Sequence, residues 1–336
     1  MPAEPTKLMR FPILRIDLSA IRRNVRRMVR IGRAQGFELT GITKGVAGDP
    51  EIAQIFVDEG VPSLGDSRLE NLRRLRAAGI DEPLWLIRSP APDEAGPAVE
   101  LAEGSLTTEP STLQALSNAA LRHGEPHRIL LMLDLDTGRE GIAPQELDEA
   151  IARIDRLKGL RLTGVGLYFD FQSAPTLRDE AFSRLEALMQ RHRSRGLRIS
   201  GGASNVFHQC TIDGTPPVGV NHLRLGTAPL LGLGTSHGPA PIDGWDRDTF
   251  VLTAPVIETK SDGERCLVAL GTLDAPCESL FPVDASVRID KASSDHLMLR
   301  CTHRRATGEV VHFRLGYAAL ARLMTSPYTH REYTTA

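Results

Sequence analysis

The 336-residue sequence contains little cysteine and no long hydrophobic run. Its cysteines, Cys210, Cys266, Cys277 and Cys301, form no C-x-x-C pair, so neither a zinc site nor a disulfide framework is indicated. No stretch approaches 18 consecutive apolar residues, so no membrane-spanning helix is predicted. Residues 1–10 lack the apolar core of a secretory signal. We therefore expect a reduced, cytoplasmic setting and no membrane partner.

Neither sign of charge predominates, since 40 Lys and Arg stand against 42 Asp and Glu. This balance gives no general reason to expect a nucleic-acid partner. Ile21, Val25 and Met28 recur at helical spacing in one early segment that is also rich in arginine. We interpret its arginines as the solvated face of an amphipathic helix. They are Arg22, Arg23, Arg26, Arg27, Arg30 and Arg33.

Short β-rich runs alternate with helix signals from about residue 18 to residue 230. Asp49-Pro50 and Glu109-Pro110 each place proline at the first position of a predicted helix, and residues 176–195 form a long charged segment. Eight alternations of a predicted strand with a predicted helix fit a (β/α)8 barrel better than an open sheet. The predicted strands are 40–43, 63–65, 84–87, 105–107, 129–135, 162–168, 197–201 and 222–225.

The pattern changes at a loop rich in Gly and Pro, residues 232–241. After it come short β-like runs separated by turns. They are 251–259, 266–270, 286–289, 296–301 and 310–314. We therefore predict an α/β fold with a (β/α)8 TIM-like barrel over residues 18–240 and a smaller all-β domain over residues 241–336. The early segment 11–17 is expected to join the all-β domain.

In such a barrel the reactive groups lie at the carboxyl ends of the strands. Lys44 is the only lysine at these ends. A lysine at the mouth of an apolar barrel loses hydration, which lowers its pKa and frees the amine for imine chemistry. A surface lysine after a strand is the alternative interpretation. The strand-end residues are Lys44, Asp66, Arg88, Thr107, Asp136, Arg139, Tyr168 and Arg224.

Two glycine-bearing turns end predicted strands seven and eight. They are Ser200-Gly-Gly-Ala-Ser204 and Arg224-Leu-Gly-Thr227. Glycine lets the backbone approach an anion, and hydroxyl and amide N–H groups can receive a phosphate. Each turn alone also fits a plain tight turn. Together, at these two strand ends, they indicate a phosphorylated ligand.

Several motifs in one order resemble alanine-racemase-type enzymes, the fold type III enzymes that use pyridoxal 5'-phosphate (PLP). Asp17-Leu-Ser-Ala-Ile-Arg-Arg-Asn24 resembles their D-L-x-A-I-x-x-N opening, and Lys44 stands where their PLP lysine does. Residues 224–227 resemble their R-P-G-I segment. The sequence is most similar to the ornithine-racemase branch, through motifs at 65–72, 135–141, 200–202, 292–296 and 313–317. The likeness runs from residue 13 to about residue 330.

The resemblance implies a PLP-dependent amino-acid racemase acting on a free amino acid, such as ornithine or another basic one. It implies a homodimer with shared active sites, in which Lys44 holds PLP and moves the α-proton on one face. Arg139 would lie beside the phenolic oxygen, Tyr168 against the pyridine ring and Arg224 at the pyridine nitrogen. The phosphate end would be held by Gly202, Ser204, Gly226, Thr227 and Tyr317.

Arg224 also carries a physical argument about the reaction. Its guanidinium stays charged and so opposes protonation of the pyridine nitrogen, which makes the ring a weaker electron sink. A weak sink suits brief, reversible removal of the α-proton. Arg224 therefore favours a racemase over decarboxylases of the same fold, which have a glutamate there. Elimination or aldol cleavage stays open, as does a PLP carrier, although carriers are usually the barrel alone.

Two positions depart from the family pattern. Gly48 stands where alanine racemases have a tyrosine that touches the phosphate. Thr272 stands where they have the second catalytic base, a tyrosine from the partner subunit, and a threonine hydroxyl is a poor base. We expect Asp274 of the partner to replace it, with Cys277 second and Asp295-His296 as an alternative pair. Cys277 also fits a buried small hydrophobe, and no acidic cluster could be assigned to the distal ammonium of a basic substrate.

Overall fold

The computed structural model describes residues 11–135, 138–168, 175–214, 216–235 and 240–335. It opens with strand β1 (Ile13–Asp17), which leads directly into helix α1 (Leu18–Ala34). Asp17 caps this helix, since its Oδ1 accepts a hydrogen bond from Ala20 N at 2.8 Å. The first residue of the Asp17–Asn24 motif thus caps the N-terminus of α1.

The arginine face of α1 forms ion pairs within the molecule. Arg22 and Arg26 pair with Glu59 at 3.1 and 2.8 Å, and Arg27 pairs with Asp246 at 2.8 Å. The opposite side of the helix is buried through apolar residues at helical spacing. The segment is therefore the amphipathic helix that we predicted, with its arginines at the solvent-facing side.

Eight parallel strands close into a barrel in which each strand pairs with the next along the chain and the last pairs with the first. Their bounds lie within two residues of the predicted ones, so the barrel prediction is confirmed. They are β2 (Glu38–Ile42), β3 (Leu64–Asp66), β4 (Leu84–Leu86), β5 (Gly104–Leu106), β6 (His127–Leu133), β7 (Leu160–Leu167), β8 (Arg198–Ser200) and β9 (His222–Leu225).

Helices alternate with these strands. Pro50 and Pro110 each begin a helix, as the sequence predicted, because proline loses no hydrogen bond at the first helical position. The helices are α2 (Pro50–Asp58), α3 (Leu69–Ala77), α4 (Ala95–Leu101), α5 (Pro110–His123), α6 (Leu147–Arg156), α7 (Pro175–Met189), α8 (Ser204–Asp213) and α9 (Thr227–Leu231).

The rest of the chain forms an eight-stranded sheet that includes β1. Here β1 pairs antiparallel with the first of the following strands and parallel with the last. The early segment therefore joins the second sheet, as expected. The elements are β10 (Phe250–Thr259), β11 (Arg265–Val268), β12 (Leu280–Pro282), β13 (Val287–Ala292), β14 (Leu297–Cys301), β15 (Val310–Leu315), α10 (Tyr317–Thr325) and β16 (His330–Thr334).

The fold class is the predicted one, a closed parallel barrel followed by a mainly antiparallel sheet. Strands β12 and β16 were not predicted. The division into 18–240 and 241–336 stays a prediction, and part of the loop between them, residues 236–239, lies outside the described residues. Within the described ranges, no helix has the length and hydropathy that a membrane crossing requires.

Candidate active site

The strand ends surround a cavity of about 170 Å³ at the mouth of the barrel. Most of the predicted site residues line it. They are Lys44, Arg139, Tyr168, Ser204, Arg224, Gly226, Thr227 and Tyr317. Gly202, Asp274 and Cys277 are not among its described lining residues, although Gly202 lies two residues before Ser204. The barrel and the part of the chain that follows it therefore both contribute to the cavity, since Tyr317 begins α10.

Lys44 follows β2 and begins a short 3-10 turn, Lys44–Val46. Its side chain lines the cavity, and the charged groups of Arg139 and Asp66 act on it. Loss of hydration lowers the pKa of Lys44, and the positive charge of Arg139 lowers it further, while Asp66 opposes the change. The lowered pKa gives Lys44 a larger share of neutral amine than an exposed lysine has, which is the direction that the sequence argument expected.

Asp66 is a buried carboxylate at the end of β3. Its Oδ2 accepts a hydrogen bond from Thr43 Oγ1 at 2.7 Å, and its Oδ1 accepts from Asn71 Nδ2 at 2.9 Å. Burial raises the pKa of Asp66, and these hydrogen bonds oppose that change. The carboxylate thus joins the end of β2, next to Lys44, to the neighbouring strand.

Arg224 is held by a chain of buried polar groups inside the barrel. Its Nη1 donates to Ser200 Oγ and its Nη2 to Leu167 O at 3.0 Å. Ser200 Oγ lies 2.8 Å from Nδ1 of His222, whose Nε2 lies 2.9 Å from Thr40 Oγ1. Burial lowers the pKa of Arg224 to about 10, so it stays charged near neutral pH.

Arg224 fixes the direction of the first hydrogen bond in this chain. A guanidinium has no acceptor, so Ser200 Oγ accepts from Arg224, and the neutral His222 ring donates through one nitrogen and accepts through the other. The chain of polar contacts continues from His222 to Thr40 Oγ1, which lies 2.8 Å from Ser63 Oγ. Burial keeps the pKa of His222 well below its usual value, which fits the neutral ring.

Arg139, Tyr168 and Glu140 form a polar side of the cavity. The guanidinium carbon of Arg139 lies 3.8 Å from the centre of the Tyr168 ring, a cation–π contact. Arg139 Nη2 also donates to Glu140 Oε1 at 3.0 Å. Sequence analysis predicted the first two residues and missed Glu140.

Two helices begin at the cavity, α8 at Ser204 and α9 at Thr227. Neither helix is capped by the side chain of its own N-cap residue, since these residues are Ala203 and Gly226. Ser204 Oγ accepts from Ala228 N at 3.0 Å and so holds the two turns together. Helix N-termini of this kind bind anionic groups such as phosphate.

Gly48 shows why the tyrosine of the family pattern is absent here. It has a positive φ of 61°, which side-chain-bearing residues rarely adopt. A Cβ on Gly48 would lie 2.7 Å from Asn71 Cβ. On the cavity side, the Cε2 of Tyr317 would lie 2.9 Å from a Cβ on Gly45. Burial raises the pKa of Tyr317 to about 12, so it stays a neutral hydrogen-bonding group.

The predicted second bases lie in loops that connect the strands following the barrel. Asp274 Oδ2 accepts from Gly271 N at 2.9 Å and so closes the turn of its own loop. Thr272 N donates to Ser293 O at 2.9 Å, which packs this loop on the turn that contains Asp295-His296. In that turn Ser293 N donates to His296 O at 2.8 Å, so residues 293–296 form a hydrogen-bonded turn.

Other strand-end residues have structural partners. Arg88 pairs with Glu94 at 3.6 Å, and Thr107 Oγ1 lies 2.7 Å from Ser89 Oγ. Neither Arg88 nor Thr107 is among the described residues of the cavity lining. The predicted Asp136 lies outside the described residues.

The barrel, the lysine after its first strand and the following sheet define the fold of alanine racemases and related fold type III PLP enzymes. Residues 16–232 match the family model "Alanine racemase, N-terminal domain". The chain therefore belongs to that family and is a PLP-dependent enzyme.

Two curated relatives extend over nearly the whole chain. A lysine racemase from Thermotoga maritima is 29% identical and covers 96% of this chain and 98% of its own. An ornithine racemase from Acetoanaerobium sticklandii is 28% identical, with coverage of 96% and 99%. The family match and these two relatives confirm the prediction of a PLP-dependent amino-acid racemase.

Solved structures agree on the fold. D-threonine aldolase from Filomicrobium marinum superposes with a TM-score of 0.79 at 18% identity, over 94% of this chain and 89% of that one. Alanine racemase from Corynebacterium glutamicum gives a TM-score of 0.73 at 17% identity, over 97% and 100%. At such identities the likeness concerns the fold, which enzymes of several activities share.

Proposed function

We propose that this enzyme interconverts the enantiomers of a free basic amino acid of the lysine and ornithine class, with PLP held by Lys44. The observation that carries the proposal is the position of Lys44, at the end of the first barrel strand and open to a cavity that Arg224 and two helix N-termini also line. The names of the two near-full-length relatives supply the substrate class.

The cavity residues fit PLP. The helix ends at Ser204 and Thr227 would hold the phosphate together with the Tyr317 hydroxyl and the backbone at Gly202 and Gly226. Arg224 would hold the pyridine nitrogen without donating a proton to its ring, Arg139 the phenolic oxygen, and Tyr168 would support the ring. When bound, PLP supplies the electron sink that makes the α-proton of an amino acid acidic.

Lys44 would move the α-proton on one face of the substrate. Its lowered pKa gives a larger share of neutral amine near pH 7 than an exposed lysine has. The neutral amine accepts the proton, and the resulting ammonium returns it. Ile87, Leu106 and Met132 line the same cavity and would keep water from the reacting atom.

The opposite face needs a second proton carrier, and we assign it to a partner subunit. None of residues 270–278 is among the described lining residues of the cavity in their own chain. Leu273 of this loop is 61% exposed, which fits a surface that another copy covers. We propose a homodimer in which Asp274, or in second place Cys277, reaches the partner's cavity.

We also propose the cytoplasm as the location. The sequence supports this location, since its cysteines form no C-x-x-C pair and indicate no disulfide framework. Disulfide frameworks are typical of secreted proteins and rare in the cytosol.

The function is tested by incubating the purified protein and PLP with single enantiomers of a panel of amino acids in deuterated water. We expect ornithine and lysine to exchange their α-proton and to form the other enantiomer. Release of CO2, ammonia or an aldehyde would establish a lyase instead. Stable PLP binding without turnover of any substrate would establish a carrier.

A further inference from the structure

The cavity has an uneven charge balance. Its described lining residues include two permanently cationic side chains, Arg139 and Arg224, besides the amine of Lys44, and one carboxylate, that of Glu140. Most of the remaining lining is apolar or carries hydroxyl groups. A substrate with a second ammonium group on its side chain would be repelled by the cations unless a negative charge lies near it.

The segment that follows Glu140 lies against the end of β6. Ile142 N donates to Met132 O and Asp134 N donates to Ile142 O, both at 2.9 Å. A Cβ on Gly141 would lie 2.4 Å from Asp134 N, so the two backbones approach closely there. Glu140 therefore lies two residues before a backbone contact with the barrel, at the mouth of the cavity that it lines.

The carboxylate of Glu140 is also open to the cavity. Within the described part of the chain, its hydrogen-bond partner is Arg139, at 3.0 Å to Oε1 and 3.2 Å to Oε2, and about 40% of its side chain is exposed. Burial lowers the pKa of both Lys44 and Arg224, and the negative charge of Glu140 partly opposes this change at each group. Its field thus reaches both groups that flank the reacting centre.

We propose that Glu140 determines the specificity for basic amino acids by binding the side-chain ammonium of the substrate. The ammonium joins or displaces Arg139 as the ion-pair partner of this carboxylate. This inference rests on the proposed racemase function and assigns the residue that selects its substrate class. Glu140 follows Arg139 directly in the chain, so one short segment contributes both groups.

The competing role for Glu140 is to neutralise and orient Arg139. In that case its loss would weaken PLP binding and would lower the turnover of all substrates alike. A role in substrate selection instead changes the ratio between a basic and a neutral substrate. Ornithine and norleucine form the matched pair, because a terminal ammonium in the first replaces a methyl group in the second.

The test compares Glu140→Gln and Glu140→Leu with the wild-type protein. Glu149→Gln serves as the control, since Glu149 lies on α6 in an exposed pair with Arg153. We expect kcat/KM for ornithine to fall about tenfold or more in both variants, because a charged partner is lost. The value for norleucine should change little in Glu140→Gln and rise in Glu140→Leu. The control should retain the wild-type ratio.

PLP affinity, measured by absorbance titration, and the thermal unfolding midpoint accompany the kinetics. Both should stay near wild-type values in Glu140→Gln. Equal losses for ornithine and norleucine, or weaker PLP binding with an unchanged ratio, would overturn the inference and leave the racemase intact. Absence of racemisation in the wild-type protein would instead refute the proposed function.

Discussion

At the scale of single residues, the orientation of Arg224 is the feature that most directly concerns the reaction. The guanidinium is buried, and its partners include Ser200, which is in turn fixed by a neutral His222. Burial and the positive charge of Arg224 keep the pKa of His222 well below its usual value, so the ring that holds Ser200 stays neutral. We therefore regard His222 as a positioning residue that acts through Arg224.

Replacing His222 by leucine should loosen Arg224. A hydrogen bond in a network with a charged group contributes about 1.5–3 kcal/mol, so we expect racemisation to slow by about 10-fold or more. A displaced guanidinium should also let the cofactor ring nitrogen gain a proton. The pyridoxamine phosphate formed per racemisation event should then rise, as measured by chromatography of the released cofactor.

His127→Leu is the matched control for this experiment. His127 is also buried and lies 2.8 Å from a serine, Ser105, and burial lowers its pKa to about 4. It is not among the described residues that line the cavity. If both variants give equal amounts of the side product, the effect is structural and the positioning role is wrong.

Sequence reasoning could identify the site residues that belong to motifs and missed those that act through space. Lys44, Arg224 and Tyr317 were predicted because they occur in recognisable segments at strand ends. Thr40 and His222 are 182 positions apart, and their contact arises only when the barrel closes. The proximity of Glu140 to Arg139 was visible in the sequence, but its position in the cavity was not.

At the scale of elements, one carboxylate joins the barrel to the following sheet. Asp49 caps α2 by accepting from Ile52 N at 3.1 Å, and its other oxygen accepts from the hydroxyl of Tyr333 at 2.5 Å. Tyr333 lies in β16, near the end of the chain. Burial and the hydrogen bond to Asp49 raise the pKa of Tyr333, so the phenol stays a donor.

Asp49→Ala should therefore destabilise the protein more than an ordinary helix-end substitution does. The lost cap and the lost Tyr333 contact together should cost about 2–3 kcal/mol, measured as a shift of the urea midpoint. Tyr333→Phe should cost about 1 kcal/mol. Asp58→Ala, at the exposed end of the same helix, should cost less than about 1 kcal/mol. Equal effects of Asp49→Ala and Asp58→Ala would contradict this account.

The elements themselves were largely predictable because turn residues bound each barrel strand. The two strands that sequence analysis missed differ in kind from the others. Strand β12 has three residues and includes Pro282, and β16 is polar, with the sequence His-Arg-Glu-Tyr-Thr. Their pairing partners, β15 and β1, define them as strands, and a local sequence pattern does not contain that information.

At the scale of the whole molecule, the proposed dimer would complete each cavity with residues from both subunits. Mixing an inactive Lys44→Ala chain with an inactive Asp274→Ala chain tests this arrangement. Subunit exchange should yield dimers with one intact and one doubly altered site, so part of the activity should return. If activity stays absent despite proven exchange, or if Asp274→Ala alone is fully active, the shared site is wrong.

The central claim is that Lys44 holds PLP, and borohydride reduction followed by peptide mapping tests it most directly. Reduction should attach the cofactor to the peptide that contains Lys44, and the Lys44→Ala protein should stay unlabelled. Binding should weaken as the pH falls, because the reaction needs the neutral amine, whose pKa the cavity lowers. Labelling at any other lysine, or no labelling at all, would contradict the account.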